Sequence, residues 1–329
     1  MKNKLDFSLQ QMLTQYKDDI NGQTVYCGLS AGADSTCLFS LLNKKKDKFN
    51  FKLHAVFFSH GDSPIAVKED VMLSVCQKLC KEYGVELTVV PLQLKIIDNQ
   101  GWESSGRIMR QKFYNDMGAK FVFLGHHEDD QNETTMTQLL RGGAGRGASG
   151  MKSVEGIYYR PLLSHKKSEI YEYLRENNIE WIEDPTNTNS DFTRNFWRNK
   201  ALPLIEEHYP DYSKKLNNFR TQLNELHQLA YDMALEDGLE EFISGDFCRS
   251  VKDLSEVRLK NLIKHYFQYQ KINLTDRNYQ EFLKSYKNNF VREIGNDEHK
   301  FYLFSNILSN TTNLLPAPKE KKVKSQPKI

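Results

Sequence analysis

Ser30-Ala31-Gly32-Ala33-Asp34-Ser35 lies between an apolar run, Val25-Tyr26-Cys27-Gly28-Leu29, and a helical pattern, Cys37-Leu38-Phe39 with Leu41-Leu42. A strand that turns through small residues into a helix leaves several backbone N–H groups without helical partners at the positive end of the helix dipole. Anions bind there. The stretch reads as a phosphate loop. It lacks the Lys-Ser/Thr pair that closes the more familiar nucleotide loop, so no lysine within it reaches a terminal phosphate. It offers Asp34 instead. A carboxylate beside a polyphosphate repels it unless a divalent cation lies between them, so ATP with Mg2+ near Asp34 is the expected ligand. The competing reading of the six residues by themselves is a strand-to-helix turn built of small residues for packing.

The 329 residues suffice for two domains, and 45 Lys and Arg nearly balance 43 Asp and Glu. A generic polycation is therefore excluded, and nucleic-acid binding has to come from local basic patches. No apolar run approaches membrane-spanning length, and Met1 to Ile20 lacks the basic, apolar, small order of a secretion signal. A cytoplasmic protein without a membrane partner is expected. Five cysteines, an odd number at irregular spacing, do not form a disulfide framework. Cys76 and Cys80 are four apart on a helix, and no four-ligand His/Cys spacing exists, so zinc is not expected.

Outward from the loop, strands alternate with helices. Residues up to about Asp18 form an amphipathic helix through Leu9, Met12, Leu13 and Tyr16. Leu53 to Phe58 is a second strand ending at His60-Gly61, followed by a helix from Ala66 to Tyr83 with Val71, Val75, Leu79 and Tyr83 on one stripe. Leu87 to Val90 is strand three, Glu103 to Asp116 a helix, and Phe121 to Leu124 strand four. This order specifies an α/β fold with a parallel sheet covered on both faces, whose ligands sit beyond the C-terminal strand ends. The loop, His60 and His126-His127 all fall on that rim.

Two helices have organised polar faces. Glu103, Arg107, Arg110 and Tyr114 share one side of the first, which a solvated ion-pair stripe would also explain. In the second, Asp130, Glu133, Thr134 and Thr137 share a face opposite Met136, Leu139 and Leu140, which is expected to be the buried one. Asp130 and Glu133 suit the helix dipole, yet acids gathered near a polyphosphate also need cationic company, a metal or a positively charged substrate. A glycine-rich loop, 142–150, then carries Arg146 after Arg141, and is either a connector or a close-approach surface for a large anion. A helix from Ser164 to Asn177 turns Ile170, Tyr173 and Leu174 inward. Arg194 and Arg198 lie one helical turn apart and can both face phosphate. Beyond Pro210 a long helix carries Leu216, Phe219, Leu223, Leu226, Ala230 and Met233, further apolar stripes supply partner helices, and a hairpin joins 290–294 to 300–304.

Together these motifs resemble the tRNA(Ile)-lysidine synthetases, within the ATP pyrophosphatases whose phosphate loop has the form Ser-Gly-Gly-x-Asp-Ser. The resemblance rests on the loop, on His60-Gly61, and on Glu103 with Arg107 and Arg110. It extends through Gly125 to Thr134, Leu140 to Gly143, Gly150-Met151, Asp184-Pro185-Thr186-Asn187 and Arg194 to Arg198. It implies a Rossmann-like, adenine nucleotide alpha-hydrolase-like catalytic domain over 1–210, a smaller, mainly helical tRNA-binding domain over 211–315, and a basic, disordered tail over 316–329. The implied reaction is a C–N ligation. ATP adenylates the C2 oxygen of the first cytidine of the CAU anticodon in isoleucine tRNA, and free L-lysine displaces AMP to give lysidine.

The resemblance assigns Ser30, Ala31, Gly32, Ala33, Asp34 and Ser35 to ATP. Asp34, His127 and Asp130 take catalytic or Mg2+-binding roles, and Arg107, Asp130 and Glu133 hold lysine. Arg110, Arg141, Arg146, Arg194 and Arg198 contact phosphate or tRNA. The base that keeps the attacking amine unprotonated is left open between His127 and a carboxylate. The oligomeric state is open too, a homodimer included. One departure matters: Ala31 stands where the pattern has Gly, so a right-handed or extended backbone is expected at that position. Two alternatives remain, a tRNA thiolase of the same phosphate-loop class and a nucleotide- or RNA-binding module without catalysis.

Overall fold

A computed structural model of the chain describes residues 4–60, 69–92, 102–142, 147–183, 193–244, 248–272, 275–284, 292–295, 300–304 and 307–309. The chain divides into two units, Met1–Thr221 and Gln222–Ile329. The first contains helices α1 (Lys4–Gln15) and α2 (Lys17–Ile20), strand β1 (Thr24–Gly28), α3 (Ala33–Asn43), β2 (Lys52–Ser59), α4 (Glu69–Tyr83) and β3 (Glu86–Pro91). It continues with α5 (Trp102–Asp116), β4 (Phe121–Phe123), α6 (Glu128–Leu140), β5 (Val154–Glu155), β6 (Tyr158–Tyr159) and α7 (Lys167–Glu176). The short helix α8 (Thr193–Phe196) runs through a π-helical turn, Trp197–Ala201, into α9 (Leu202–His208), and α10 (Tyr212–Glu236) follows.

The sheet order is β3-β2-β1-β4-β6-β5. All neighbours are parallel except β5 and β6, and Cys27 pairs with Ala55 on one side and Phe123 on the other. Alternation along β1 sends Val25 and Cys27 into a core with Phe39, Leu42, Leu9 and Leu174, while Tyr26 faces a second cluster around Tyr114 and Val122. Both faces of the central strand are therefore covered by helices, as parallel strands require. The short β5–β6 pair was not legible in the sequence, because two-residue strands carry no period.

Burial differs from expectation on two helices. Val71 is exposed, and the buried stripe of α4 runs through Cys76, Leu79 and Cys80. On α6 the polarity is inverted: Asp130, Gln131, Asn132, Glu133 and Thr135 are buried, whereas Leu140 is 75 % exposed. The cause is compensation, since each of these polar side chains except Thr135 finds hydrogen-bonding or ionic partners in neighbouring segments (below), and buried polar groups persist where they are satisfied.

In the second unit, α11 (Leu239–Ser244), α12 (Glu256–Tyr269) and α13 (Asp276–Leu283) accompany strands β7 (Cys248–Ser250), β8 (Arg292–Gly295), β9 (Lys300–Phe304) and β10 (Ile307–Ser309). The expected hairpin is present as β8–β9, but it belongs to a four-stranded antiparallel sheet, β7-β10-β9-β8. Leu259, Leu262, Ile263, Phe267, Tyr279 and Phe282 share its core with Phe301, Leu303 and Leu308. Ser255 and Thr275 cap α12 and α13 through their hydroxyls. The tail 316–329 lies outside the described residues.

Candidate active site

Strand β1 ends at Gly28, and the chain turns at once into α3, whose N-cap is Gly32. The turn is braced internally. Ser35 Oγ accepts the Ser30 N–H at 3.1 Å, shares a 3.1 Å hydrogen bond with Ser30 Oγ, and donates to the Gly32 carbonyl. Ala31 is left-handed, with φ 60°, which corrects the right-handed or extended backbone expected from its methyl group. Its carbonyl accepts the Ile182 N–H at 2.8 Å, and its side chain is buried. Those contacts hold a conformation that costs an alanine about 1–2 kcal/mol. Strand β4 closes the other side: a Cβ at Gly125 would lie 2.8 Å from the Asp34 carbonyl oxygen, so only glycine permits this approach.

The N-terminus of α6 meets that of α3. His127, fully buried, has Nε2 3.5 Å from both Asp34 Oδ2 and Asp130 Oδ2, and Nδ1 3.5 Å from Asp129 Oδ2. Burial alone would lower its pKa. The surrounding Asp34, Asp130 and Asp129 carboxylates outweigh that, and the net shift is upward. The His127 N–H donates to Asp130 Oδ2 at 3.1 Å, which caps α6. Asp34 Oδ1 is buried without a hydrogen-bonding partner. Among the described residues no three His, Cys, Asp or Glu side chains converge as a metal set. Mg2+ is suited to one or two carboxylates with phosphate oxygens completing its shell, so Asp34 Oδ1 fits that ion.

Arg198 reaches the same place from the π-helical turn. Its Nε donates to Glu133 Oε1 at 2.7 Å and its Nη2 to Asp130 Oδ1 at 3.1 Å. A residue expected at phosphate or tRNA thus faces the two carboxylates expected at lysine. Arg107 and Arg110 gather with Arg160 around the Tyr158 hydroxyl, whose pKa burial raises and these cations counter. Arg141 is exposed at the C-terminal end of α6, about 16 Å along the axis from Asp130. Arg146 and the Arg194 side chain lie outside the described residues, as do 184–187 and the Glu103 side chain.

Several residues here were given no role in the sequence reading. The Gln131 carboxamide clasps the backbone of Met151, accepting its N–H at 2.6 Å and donating to its carbonyl at 2.8 Å. Asn132 bonds Ser213 and the buried Arg220 of α10, and Ser213 donates to Glu128. Lys167, first residue of α7, places Nζ 3.7 Å from Asp34 Oδ2. Trp181 to Glu183 border the loop through Ile182, and Trp181 donates to Glu183. The identities of Gln131 and Asn132, polar residues on the N-terminal half of a helix that also needs burial, are the signal that could have found the clasp.

A parallel sheet with an anion-binding turn after its central strand, and acidic and basic side chains gathered at one rim, defines a nucleotide-binding α/β domain. Residues 2–205 match the PP-loop domain family, and the chain belongs to that family. Curated relatives include the tRNA(Ile)-lysidine synthase of Nitrosomonas europaea, 29 % identical over 77 % of this chain and 56 % of that protein. That of an Azoarcus species is 35 % identical over 64 % of this chain and 48 % of its own length. The chain spans about half the length of the curated relatives it matches. Among solved structures, the U34-tRNA thiolase NcsA from Methanococcus maripaludis, with its [4Fe-4S] cluster, shares the fold at TM-score 0.56 and 20 % identity, over 68 % of this chain and 78 % of that one. No helix among the described residues is long and apolar enough to cross a membrane.

Proposed function

We propose that the chain forms lysidine: it adenylates the C2 oxygen of the first anticodon cytidine of a CAU isoleucine tRNA with ATP, and joins free L-lysine there with loss of AMP. The reading is carried by a buried carboxylate pair, Asp130 and Glu133, set beside a phosphate loop in a chain whose curated relatives are tRNA(Ile)-lysidine synthases.

The residues have chemistry suited to each part. Backbone amides of Ala31 to Ser35, leading into α3, receive phosphate oxygens and the charge that develops on the leaving pyrophosphate. Mg2+ held by Asp34, when bound, supplies further neutralisation of that charge. Asp130 and Glu133 attract an ammonium group of lysine, and Arg198, already paired with both, supplies a positive charge to the two buried carboxyl groups while the amine is absent. Arg107 serves the lysine carboxylate or a phosphate, and Arg110, Arg141, Arg146 and Arg194 serve the tRNA backbone. The base for the attacking amine is His127, buried between Asp34 and Asp130, or a neighbouring carboxylate. A cytoplasmic location accords with a tRNA substrate.

The thiolase reading fares worse on one observation. Cys27, Cys37, Cys76 and Cys80 are all buried in the core of the first unit, and burial pushes the thiols up, Cys80 to about 11 and Cys76 to about 12. Such thiols neither attack nor ligate at neutral pH. The test is incorporation of labelled lysine into an unmodified transcript, with AMP release followed in parallel. One AMP per lysine taken up is the expected result, and ATP cleavage without lysine uptake removes the proposal.

A further inference from the structure

Lys167 is a cation at the wrong end of a helix. As the first residue of the ten-residue α7 it faces the positive end of the dipole, a placement that costs roughly 0.3–1 kcal/mol. Its contact with Asp34 at most offsets this. At 3.7 Å, with the two side chains 21 % and 31 % exposed, the pair is loose, and partly exposed pairs of this kind contribute about 0–1 kcal/mol. The residue is nevertheless held at both ends. Its backbone N–H donates to Asp129 Oδ2 at 3.1 Å, and the ammonium group rests 5.6 Å from the centre of the Tyr171 ring. A cation kept beside the phosphate loop at a position the helix dipole disfavours is the kind of local departure that functional positions show.

We propose that Lys167 binds the phosphate chain of ATP, supplying from α7 the lysine that the phosphate loop itself lacks. The inference rests on the use of ATP in the reading above, and on nothing in it concerning lysine or tRNA. Asp34 is the pivot. Its Oδ1 is buried and without a hydrogen-bonding partner, while its Oδ2 faces both Lys167 and His127. The ammonium group therefore stands beside the loop's carboxylate in the absence of nucleotide. Once phosphates lie along the amides of Ala31 to Ser35, the ammonium group has a more highly charged anion within reach of the same position. The N-terminus of α3 and the Lys167 ammonium group then face the phosphates together.

The test is equilibrium binding of ATP, with Mg2+, and of adenosine to the intact chain without tRNA or lysine. Lys167→Met should weaken ATP at least tenfold and leave adenosine within twofold, and Lys167→Arg should stay within threefold for both. Lys166→Met removes the same charge one residue away, at an exposed position, and should leave ATP within twofold. Lys167→Gln serves should the Met variant not fold. A loss of ATP affinity below tenfold, an equal loss for adenosine, or the same loss in Lys166→Met overturns the proposal. ATP binding that follows the expected pattern in a chain that takes up no lysine leaves this proposal standing and removes only the lysidine reaction.

Discussion

Ala31 concentrates the loop's strain in one residue. Its φ of 60° costs an alanine about 1–2 kcal/mol, and the Ile182 N–H on its carbonyl helps to hold it. Glycine would remove that cost but add roughly 0.5–1 kcal/mol of chain entropy to the unfolded state. Ala31→Gly is therefore expected to be neutral or to stabilise by up to about 1 kcal/mol in urea unfolding, whereas Ala31→Val should destabilise by more than about 1 kcal/mol. Gly125 makes the opposite case. A methyl group there would meet the Asp34 backbone at 2.8 Å, and backbone does not swing aside. Gly125→Ala should cost about 1–3 kcal/mol and weaken ATP binding, measured by unfolding and titration on the same protein. The phosphate loop itself was legible because its residues are small and contiguous. Ala31's conformation was not, since the partner that holds it, Ile182, is distant in sequence.

At the scale of the element, α6 is the unusual helix. Its first turns bury Asp130, Gln131, Asn132 and Glu133, and each has partners on other segments: Arg198, the Met151 backbone, Ser213 and Arg220. Read as a sequence, its apolar residues define the buried face. The structure buries the polar one, because hydrogen bonds across 20 to 90 positions outweigh local hydropathy, and no window of the chain contains them. Arg198→Ala leaves Glu133 and Asp130 without that guanidinium, and breaking so buried an arrangement should cost about 3 kcal/mol. A double-mutant cycle with Glu133→Gln should recover a substantial part of that loss, and additive losses would show that the pair is not coupled. Gln131→Ala releases both backbone bonds of Met151, and faster amide exchange at Met151 is the expected readout. The strands of the parallel sheet were legible as apolar runs, while β5 and β6 were too short to leave a pattern.

At the scale of the whole molecule, the first unit carries a dry thiol-bearing core. Cys27, Cys37, Cys76 and Cys80 are buried, and burial raises all four pKa values above that of an unfolded thiol, roughly 8.5. The unfolded chain therefore releases protons above that pH while the folded chain keeps them. Stability is full below about pH 8.5 and declines as pH rises beyond it. A melting temperature that falls from pH 8.5 to 10.5, with no more than one of the five cysteines reacting with a thiol reagent at pH 8, is expected. The second unit was legible in its helices and its β8–β9 hairpin, but β7 and β10 join that hairpin only in three dimensions. The most direct test of the account remains the fate of ATP and lysine together. Incubated with ATP, Mg2+, labelled L-lysine and a CAU isoleucine transcript, the chain should transfer one lysine to the tRNA for each AMP released. Asp34→Asn should abolish both. AMP release without label on the tRNA, or no ATP cleavage at all, would contradict it.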